Sequence, residues 1–233
     1  MLPLKDDVPS RGVPVVTVAL IALNVLAFLY QMSLELGPDV VPAHGSAEAF
    51  VFEFGAVPCR ITGACAWDFP HPALTIITSM FLHGGLIHIG GNMLYLWIFG
   101  DNVEDTLGHV RFLGFYLASG VAAALGQTAM APTSSVPMIG ASGAISGVLG
   151  AYLLLFPYAR VLTLVTFGFF IRFIHVPAIL ILGFWIVVQF LNGALSLGAG
   201  EGGAGVAWFA HIGGFLAGIV LLFVLRPRPA VRF

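Results

Sequence analysis

The segment VAWFAHIGGFLAGIVLLFVL, residues 206–225, carries a single strongly polar side chain, that of His211. A helix needs about 20 apolar residues to cross the hydrocarbon core of a bilayer. This segment therefore predicts a transmembrane helix with a histidine at membrane depth. The whole chain is similar, with 59% apolar and 9% charged residues, where soluble domains carry about 25% charged residues. An integral membrane protein is predicted, and the net charge of −2 argues against nucleic-acid binding.

Five further segments have the apolar character of membrane helices, so the sequence predicts an all-α polytopic membrane protein with a six-helix bundle. The first segment is too long for a signal-peptide core and is expected to be a retained helix. The segment Val161–Ile174 is apolar but too short to span alone once Arg172 and His175 interrupt it, so it is expected to be an interfacial or re-entrant loop. The six expected helices are 13–34, 86–104, 111–128, 141–157, 176–194 and 206–225.

Charge placement predicts the orientation of these helices. If all six cross, the Lys and Arg residues lie on the side of both termini except Arg60. The positive-inside rule then places both termini in the cytoplasm of a cell (inner) membrane. The expected parts are a cytoplasmic tail 1–12, a membrane domain 13–225 and a cytoplasmic tail 226–233. The membrane domain includes a long structured extracytoplasmic loop at 35–79. The sequence gives no indication of the oligomeric state.

Ser142 lies in Gly140-Ala141-Ser142-Gly143, where the fourth expected helix begins. A helix start exposes unpaired N–H groups and the positive end of the helix dipole. The backbone amide of this serine is therefore suited to bind an oxyanion, and Gly140 and Gly143 leave the serine accessible. Taken alone, the motif is weak evidence and fits better an ordinary helix-capping serine beside packing glycines.

His211 lies in Ala210-His211-Ile212-Gly213-Gly214, within an otherwise apolar helix. Small residues recur every four positions on this helix and on the fourth one, and such faces let helix backbones approach closely. Close packing would bring His211 within hydrogen-bond reach of Ser142, the arrangement of a nucleophile and its base. A lone histidine that bridges two helices is the alternative. The small residues are Ala210, Gly214 and Gly218 on one helix and Gly143, Gly147 and Ala151 on the other.

His83, His88 and Asn92 form a third polar cluster. His88 and Asn92 are four residues apart and share a helix face, and both can donate hydrogen bonds to a developing oxyanion. The same residues could simply tie helices together. No metal site is expected, because the spacing is not His-x3-His and no cysteine or carboxylate lies close in sequence.

Carboxylates are absent from the sequence between Asp105 and Glu201. Asp101, Glu104 and Asp105 lie at the far end of the second expected helix, about a membrane thickness from the outer loop. Hydrolysis would therefore depend on a Ser–His dyad, with no buried aspartate to orient the histidine.

The three clusters resemble the motifs of the rhomboid intramembrane serine proteases, in the family order and on helices two, four and six. His83-Gly-Gly-Leu-Ile-His88-Ile-Gly-Gly-Asn92 is similar to the His-x4-His-x3-Asn element. Gly140-Ala-Ser142-Gly143 resembles the Gly-x-Ser-Gly motif, and Ala210-His211-Ile-Gly-Gly214 resembles the Ala-His-x-x-Gly motif. Phe99–Gly108 resembles the bacterial branch, with Glu104 expected to anchor the turn after the second helix.

The resemblance implies a rhomboid-like bundle with a water-filled cavity open to the outer face. It implies Ser142 as nucleophile and His211 as general base, with no cofactor. His88, Asn92 and the Ser142 amide would form the oxyanion hole, and His83 would have a structural role.

The expected substrates are transmembrane segments of other proteins in the lipid bilayer. Extended backbone in lipid leaves amides unpaired, so a helix must unwind locally before it is cut. Substrates are therefore expected to carry helix-weakening residues and small side chains near the outer face. Phe184 and Trp185 on the fifth helix are expected to form a lateral gate, and their replacement by alanine is expected to speed cleavage.

Two positions depart from the family pattern. Leu74-Thr75 stands where many members carry Trp-Arg in the outer loop, and Ser146 stands where many carry a tyrosine that stacks on the catalytic histidine. A non-catalytic relative that binds transmembrane segments and a small transporter are the alternative functions. The transporter is less favoured, because the chain has no internal repeat and no intramembrane carboxylate.

Cys59 and Cys65 are the only cysteines, and both lie in the expected outer loop, where disulfides can persist. The short stretch between them contains a glycine and permits a tight turn, so a disulfide is expected. Two free buried thiols are the alternative. A zinc site is less favoured, because a closed site needs two further ligands.

Overall fold

The computed structural model describes residues 2–35, 46–67, 69–167, 170–197 and 206–227, without the side chains of Glu35, Phe167 and Phe170. Part of the expected outer loop and most of the expected C-terminal tail therefore lie outside the described residues.

The chain folds into a bundle of α-helices, and each of the six expected spans corresponds to one long helix. Their bounds lie within three residues of the expected ones at either end. The expected outer loop contributes three short helices, and the last of them continues into a 3-10 turn, Ser79–Phe81. The helices are α1 (Val15–Glu35), α2 (Ala47–Phe54), α3 (Pro58–Ile61), α4 (Pro72–Thr78), α5 (Leu86–Leu107), α6 (His109–Met130), α7 (Ser142–Leu155), α8 (Ala178–Ser196) and α9 (Trp208–Leu225).

Four of these helices, α1, α6, α8 and α9, are long and apolar enough to cross a membrane. Helix α5 passes the same test together with Pro72–Phe81, from which it is bent by 84°. Helix α7 has 14 residues and is shorter. The predicted polytopic helical membrane fold is confirmed, and the count of six crossings stays a prediction.

A small antiparallel sheet, which the sequence analysis does not anticipate, lies beside the helices. Strand β2 (Arg160–Phe167) pairs with β3 (Phe170–Pro177), and β1 (Leu2–Lys5) pairs with the other edge of β2. The described residues of 161–174 thus form two paired strands where the sequence predicts a loop, and the interfacial position of this segment stays a prediction. Their β-branched and aromatic side chains favour strands, a signal that an interpretation based on span length overlooks.

Helices α7 and α9 pack backbone against backbone. A Cβ atom added at Gly214 would overlap the carbonyl oxygen of Gly143, and one added at Gly218 would overlap that of Gly147. Neither position accepts a side chain without separating the helices. The small faces seen in the sequence therefore bring the beginnings of α7 and α9 together.

Five carboxylates, of which only Asp7 is exposed, tie the opposite end of the bundle, here called the anchor end (Asp6, Asp7, Asp101, Glu104 and Asp105). Glu104 is 1% exposed and accepts hydrogen bonds from the backbone N–H groups of Val16 and Thr17, at 2.9 and 2.8 Å. It also accepts from Thr17 Oγ1 at 2.7 Å, and its other side lies 2.5 Å from His109 Nδ1. One carboxylate on α5 thereby holds the first turns of α1 and α6.

The loop before α5 is braced by contacts around Arg60. Its buried guanidinium donates to the Phe52 carbonyl at 2.6 Å and lies 3.3 Å from the centre of the Trp67 ring. Cys59 and Cys65 on either side are disulfide-bonded in the structure, with Cα atoms 5.3 Å apart. These contacts supply a brace in a loop that has Leu74-Thr75 at the Trp-Arg position. Intact mass after alkylation, with and without reductant, checks the pairing in the isolated protein.

Candidate active site

Ser142 and His211, which are 69 residues apart in sequence, lie in hydrogen-bond contact. Ser142 begins α7, His211 lies in the first turn of α9, and Ser142 Oγ is 2.9 Å from His211 Nε2. Because α7 and α9 touch through Gly143 and Gly214, the polar pair sits at the edge of a tight, otherwise apolar contact. The geometry is that of a nucleophile beside its base.

The turn before α7 brings His88 next to the serine. Gly140 has φ +117°, a conformation that side chains disfavour, and its N–H donates to the Ser79 carbonyl at 2.9 Å. A Cβ atom at this position would lie 2.7 Å from His88 Nε2. His88 Nδ1 accepts from the Gly84 N–H at 3.2 Å. In the neutral imidazole the proton is then on Nε2, which can donate toward the serine motif.

Asn92 is positioned by His83. The Asn92 Nδ2 group donates to His83 Nε2 at 2.9 Å, which leaves its second N–H for another acceptor. His83 is fully buried, and its backbone carbonyl and N–H bond the Gln31 side chain at 2.7 and 3.3 Å. His83 is thus held in the core between Gln31 and Asn92, and the structural role that the resemblance implies stays a prediction. Gln31 was missed by the sequence reasoning, although a glutamine within the apolar α1 is a visible signal.

A cavity of about 970 Å³ opens at this end of the bundle, here called the site end. Of the described side chains that line it, none is a carboxylate, and the cavity polarity comes from hydroxyl, imidazole and amide groups. Its wall includes part of the loop that joins α6 and α7, residues 131–139. The polar side chains that define the site end are His88, Asn92, Ser142 and His211 at the cavity, with Gln189 behind His211.

His211 is held from its far side by residues that the sequence analysis does not assign to it. Gln189 Oε1 lies 2.8 Å from His211 Nδ1. The ring centres of Trp185 and Trp208 are 5.8 and 6.5 Å from that of the imidazole. Ser146, at the position of the family tyrosine, donates to the Ser142 carbonyl at 2.6 Å. The support for His211 therefore comes from α8 and α9, where Gln189 is a polar residue in an apolar helix.

A family model described as Rhomboid domain matches residues 70–228, which contain all three motifs. The chain belongs to the rhomboid family.

Three relatives illustrate the range of rhomboid proteins that this chain resembles. Rhomboid protein 1, mitochondrial, of Saccharomyces cerevisiae is 34% identical over 162 residues, which cover 66% of this chain and 42% of that protein. Rhomboid protease GluP of Bacillus subtilis is 33% identical over 194 residues, with 83% and 34% covered. RHOMBOID-like protein 2 of Arabidopsis thaliana is 35% identical over 170 residues, with 72% and 48% covered.

The chain spans between about a third and a half of the length of these relatives, which are bacterial and eukaryotic. Membership confirms the predicted family and the multi-pass membrane class. The assignment to the bacterial branch stays a prediction.

The structure separates the two residues of the expected gate in this rhomboid domain. Phe184 is 67% exposed on the outer side of α8. Trp185, the next residue, is partly buried, lines the cavity and packs beside His211. The disulfide is not part of the cavity lining, but the Cys59 N–H donates to the Ser134 carbonyl of the α6–α7 loop at 3.0 Å. The outer loop and the site are thus joined through that loop.

Proposed function

We propose that this rhomboid-family chain is an intramembrane serine endopeptidase that works with a Ser142–His211 dyad. The observation that carries the proposal is the 2.9 Å contact between Ser142 Oγ and His211 Nε2 at the edge of a polar cavity. Polar side chains at membrane depth are costly in free energy and usually mark functional sites. Here they form a nucleophile, a base and a group of donors around one space.

Peptide-bond cleavage follows from the roles of these groups. Ser142 Oγ attacks the carbonyl carbon of the substrate while its proton moves to His211 Nε2. The oxyanion is bound by the Ser142 backbone N–H, His88 Nε2–H and the free N–H of Asn92. His211 then gives its proton to the leaving nitrogen as the C–N bond breaks. Water, deprotonated by His211, attacks the acyl-enzyme ester, and the proton returns to Ser142 Oγ as the acid product leaves.

The proposed substrates are transmembrane segments of other membrane proteins, reached from the lipid bilayer and cut near the outer face. This is supported by a site at one end of membrane-length helices and by the sequence pattern, which predicts all Lys and Arg residues except Arg60 on the side of both termini. The same charge distribution supports cytoplasmic termini and a cell (inner) membrane location. A partly unwound helix exposes its amides, which the polar wall of the cavity can bond.

The dyad is tested with the purified chain in liposomes, with a transmembrane reporter substrate and a fluorophosphonate probe. Ser142→Ala and His211→Ala are expected to reduce cleavage to the no-enzyme level, and the probe is expected to label the wild type but not Ser142→Ala. Ser33→Ala is the control, because within the described part of the chain that hydroxyl bonds only the Tyr30 carbonyl of its own helix, at 2.6 Å. It should label and cleave as the wild type does.

The oxyanion donors provide a graded arm of the same experiment. Loss of one donor lowers turnover by up to about 10²–10³-fold where a single donor dominates. Because three groups share the oxyanion here, Asn92→Ala and His88→Ala should each slow cleavage without abolishing it. Appreciable cleavage by Ser142→Ala overturns the nucleophile assignment. A folded wild type that is neither labelled nor active identifies a non-catalytic relative that binds transmembrane segments.

A further inference from the structure

Gln189 is the one polar side chain in direct contact with the rear nitrogen of His211 among the described residues. It is 5% exposed and lies on α8, with Oε1 2.8 Å from His211 Nδ1. It does not line the cavity. A buried amide between two apolar helices is costly unless it is hydrogen-bonded. The hydrogen bonds of Gln189 therefore offset the cost of burying its side chain.

The Trp185 carbonyl decides which way the Gln189 amide points. Gln189 Nε2 donates to the Trp185 carbonyl oxygen, one turn earlier on α8, at 3.4 Å. With the amide reversed, Oε1 would face that carbonyl, and two acceptors would meet. The bonding network therefore directs the acceptor Oε1 toward His211.

An acceptor opposite Nδ1 selects one tautomer of the imidazole. A neutral histidine carries its proton on either nitrogen, and the partner of one nitrogen decides the state of the other. Nδ1–H donates to Gln189 Oε1, which leaves the lone pair of Nε2 facing the Ser142 hydroxyl. In the opposite tautomer the Nδ1 lone pair would face Gln189 Oε1, so two acceptors would meet, and Nε2–H would donate to Ser142 Oγ and could not take its proton.

We propose that Gln189 is the positioning residue of the dyad, which fixes the Nδ1–H tautomer and the ring orientation of His211. The inference rests on the proposed function of Ser142 and His211. Gln189 takes the orienting role that a buried aspartate has in a Ser-His-Asp triad, but it does so without a charge. It also accounts for how His211 is held in a chain with Ser146 at the tyrosine position.

The test compares kcat and KM of three α8 variants in liposomes with the transmembrane reporter. Gln189→Leu keeps the size but removes the acceptor, and kcat is expected to fall about 10–100-fold, by analogy with the loss of partners that orient metal-bound histidines. KM should not change, because Gln189 is outside the cavity wall. Gln189→Glu restores an acceptor and is expected to return most of the lost kcat.

Asn192→Leu is the matched control, because Asn192 is a second polar residue on α8 whose Nδ2, among the described residues, bonds only the Val188 carbonyl of its own helix, at 3.0 Å. It should leave kcat unchanged. Equal losses in Gln189→Leu and Asn192→Leu, or a Gln189→Glu variant no better than Gln189→Leu, would show a merely structural role and overturn the proposal. If Gln189→Leu fails to fold, Gln189→Met takes its place, with an unbranched side chain and no amide acceptor.

The wild type measured in parallel separates the two levels of the argument. A wild type that neither cleaves the reporter nor reacts with the fluorophosphonate refutes the proposed function and with it this role. If the wild type is active and a folded Gln189→Leu variant has the same kcat, the proposed role of Gln189 is refuted but the proposed function is not.

Discussion

At the anchor end, the buried carboxylate of Glu104 holds α1 through two backbone N–H groups and α6 through the His109 imidazole, whereas at the site end the neutral amide of Gln189 holds His211. Both ends bury polar groups in an apolar bundle. The anchor end does so with negative charge placed at the first turns of α1 and α6, where helix dipoles and unpaired donors favour it. The site end does so with hydroxyl, amide and imidazole groups.

The difference follows from what each end has to do. A structural tie is stronger when a charged acceptor meets several fixed donors. A general base must bind a proton and release it within each turnover. Either a carboxylate or an amide opposite Nδ1 can orient the ring, and the amide does so with less bias toward the imidazolium.

The largest effect on stability is expected at the anchor end. Glu104→Ala leaves the N–H groups of Val16 and Thr17 buried without their acceptor, and breaking a buried charged contact costs about 3–5 kcal/mol. Unfolding in detergent micelles measures the loss. Asp105→Ala is the control, because the partly exposed Asp105 bonds only the Arg11 N–H, at 2.6 Å, among the described contacts. If both variants unfold at the same denaturant concentration, Glu104 is not the main tie.

A smaller effect is expected at the site end, where the two residues of the predicted gate should differ. Trp185→Ala removes a ring that packs 5.8 Å from that of His211. Aromatic contacts of this kind contribute about 0.5–1.5 kcal/mol, so kcat is expected to fall up to about tenfold. Phe184→Ala, on the exposed face of α8, should not lower kcat. If either replacement speeds substrate entry, cleavage should become faster in Phe184→Ala and not in Trp185→Ala.

Reporter kinetics in liposomes measure both variants, and Trp185→Phe, which keeps a ring, should retain most of the kcat. Faster cleavage by Trp185→Ala would favour the sequence-based prediction that both residues obstruct entry. It would also weaken the view that Trp185 supports the base.

The helical bundle and the Ser142–His211 contact could be predicted from the sequence because both depend on local patterns of residue type. Long apolar segments predict the helices, and small residues at every fourth position indicate where α7 and α9 touch. Gly143 is next to Ser142, and Gly214 is one helical turn from His211. The contact between the two glycines therefore also brings the Ser142 and His211 side chains together. The contacts of His83 with Asn92 likewise lie within one short stretch of chain.

The parts that escaped prediction depend on pairings between distant residues. Gln189 reaches His211 only because of the rotation of α8 about its axis, which periodicity in one sequence does not specify. The pairing of Gln31 with His83 joins residues 52 positions apart. The pairing of β2 with β3 was not predicted, because the length of the apolar segment was weighed against that of a membrane span and its strand propensity was not considered. Arg60 braces the outer loop with ring contacts from both sides of the disulfide.

The smallest expected effect concerns Asp6 at the anchor end, and it depends on pH. Burial, with some repulsion from Asp101, raises the pKa of Asp6 from its ordinary 3.8 to about 6, although hydrogen bonding from the Tyr152 hydroxyl opposes the shift. Between these two pH values the folded chain keeps a proton that the unfolded chain has released. The contribution of Asp6 to stability therefore falls as pH rises from about 4 to about 6, and it is constant above that range.

Asp6→Asn cannot titrate, so its stability relative to the wild type should rise across the same interval. Asp6 is partly exposed and solvent screens it, so the change should be at most about 1 kcal/mol. Denaturant unfolding of both proteins in micelles at pH 4 and pH 6.5 measures it, with Asp7→Asn as the control. Asp7 is exposed and accepts from the Arg160 N–H at 2.7 Å. Parallel pH dependence of the wild type and Asp6→Asn would mean that Asp6 ionises in the folded chain as it does in the unfolded one. The anchor end would then tolerate charge at Asp6 as readily as it does at Glu104.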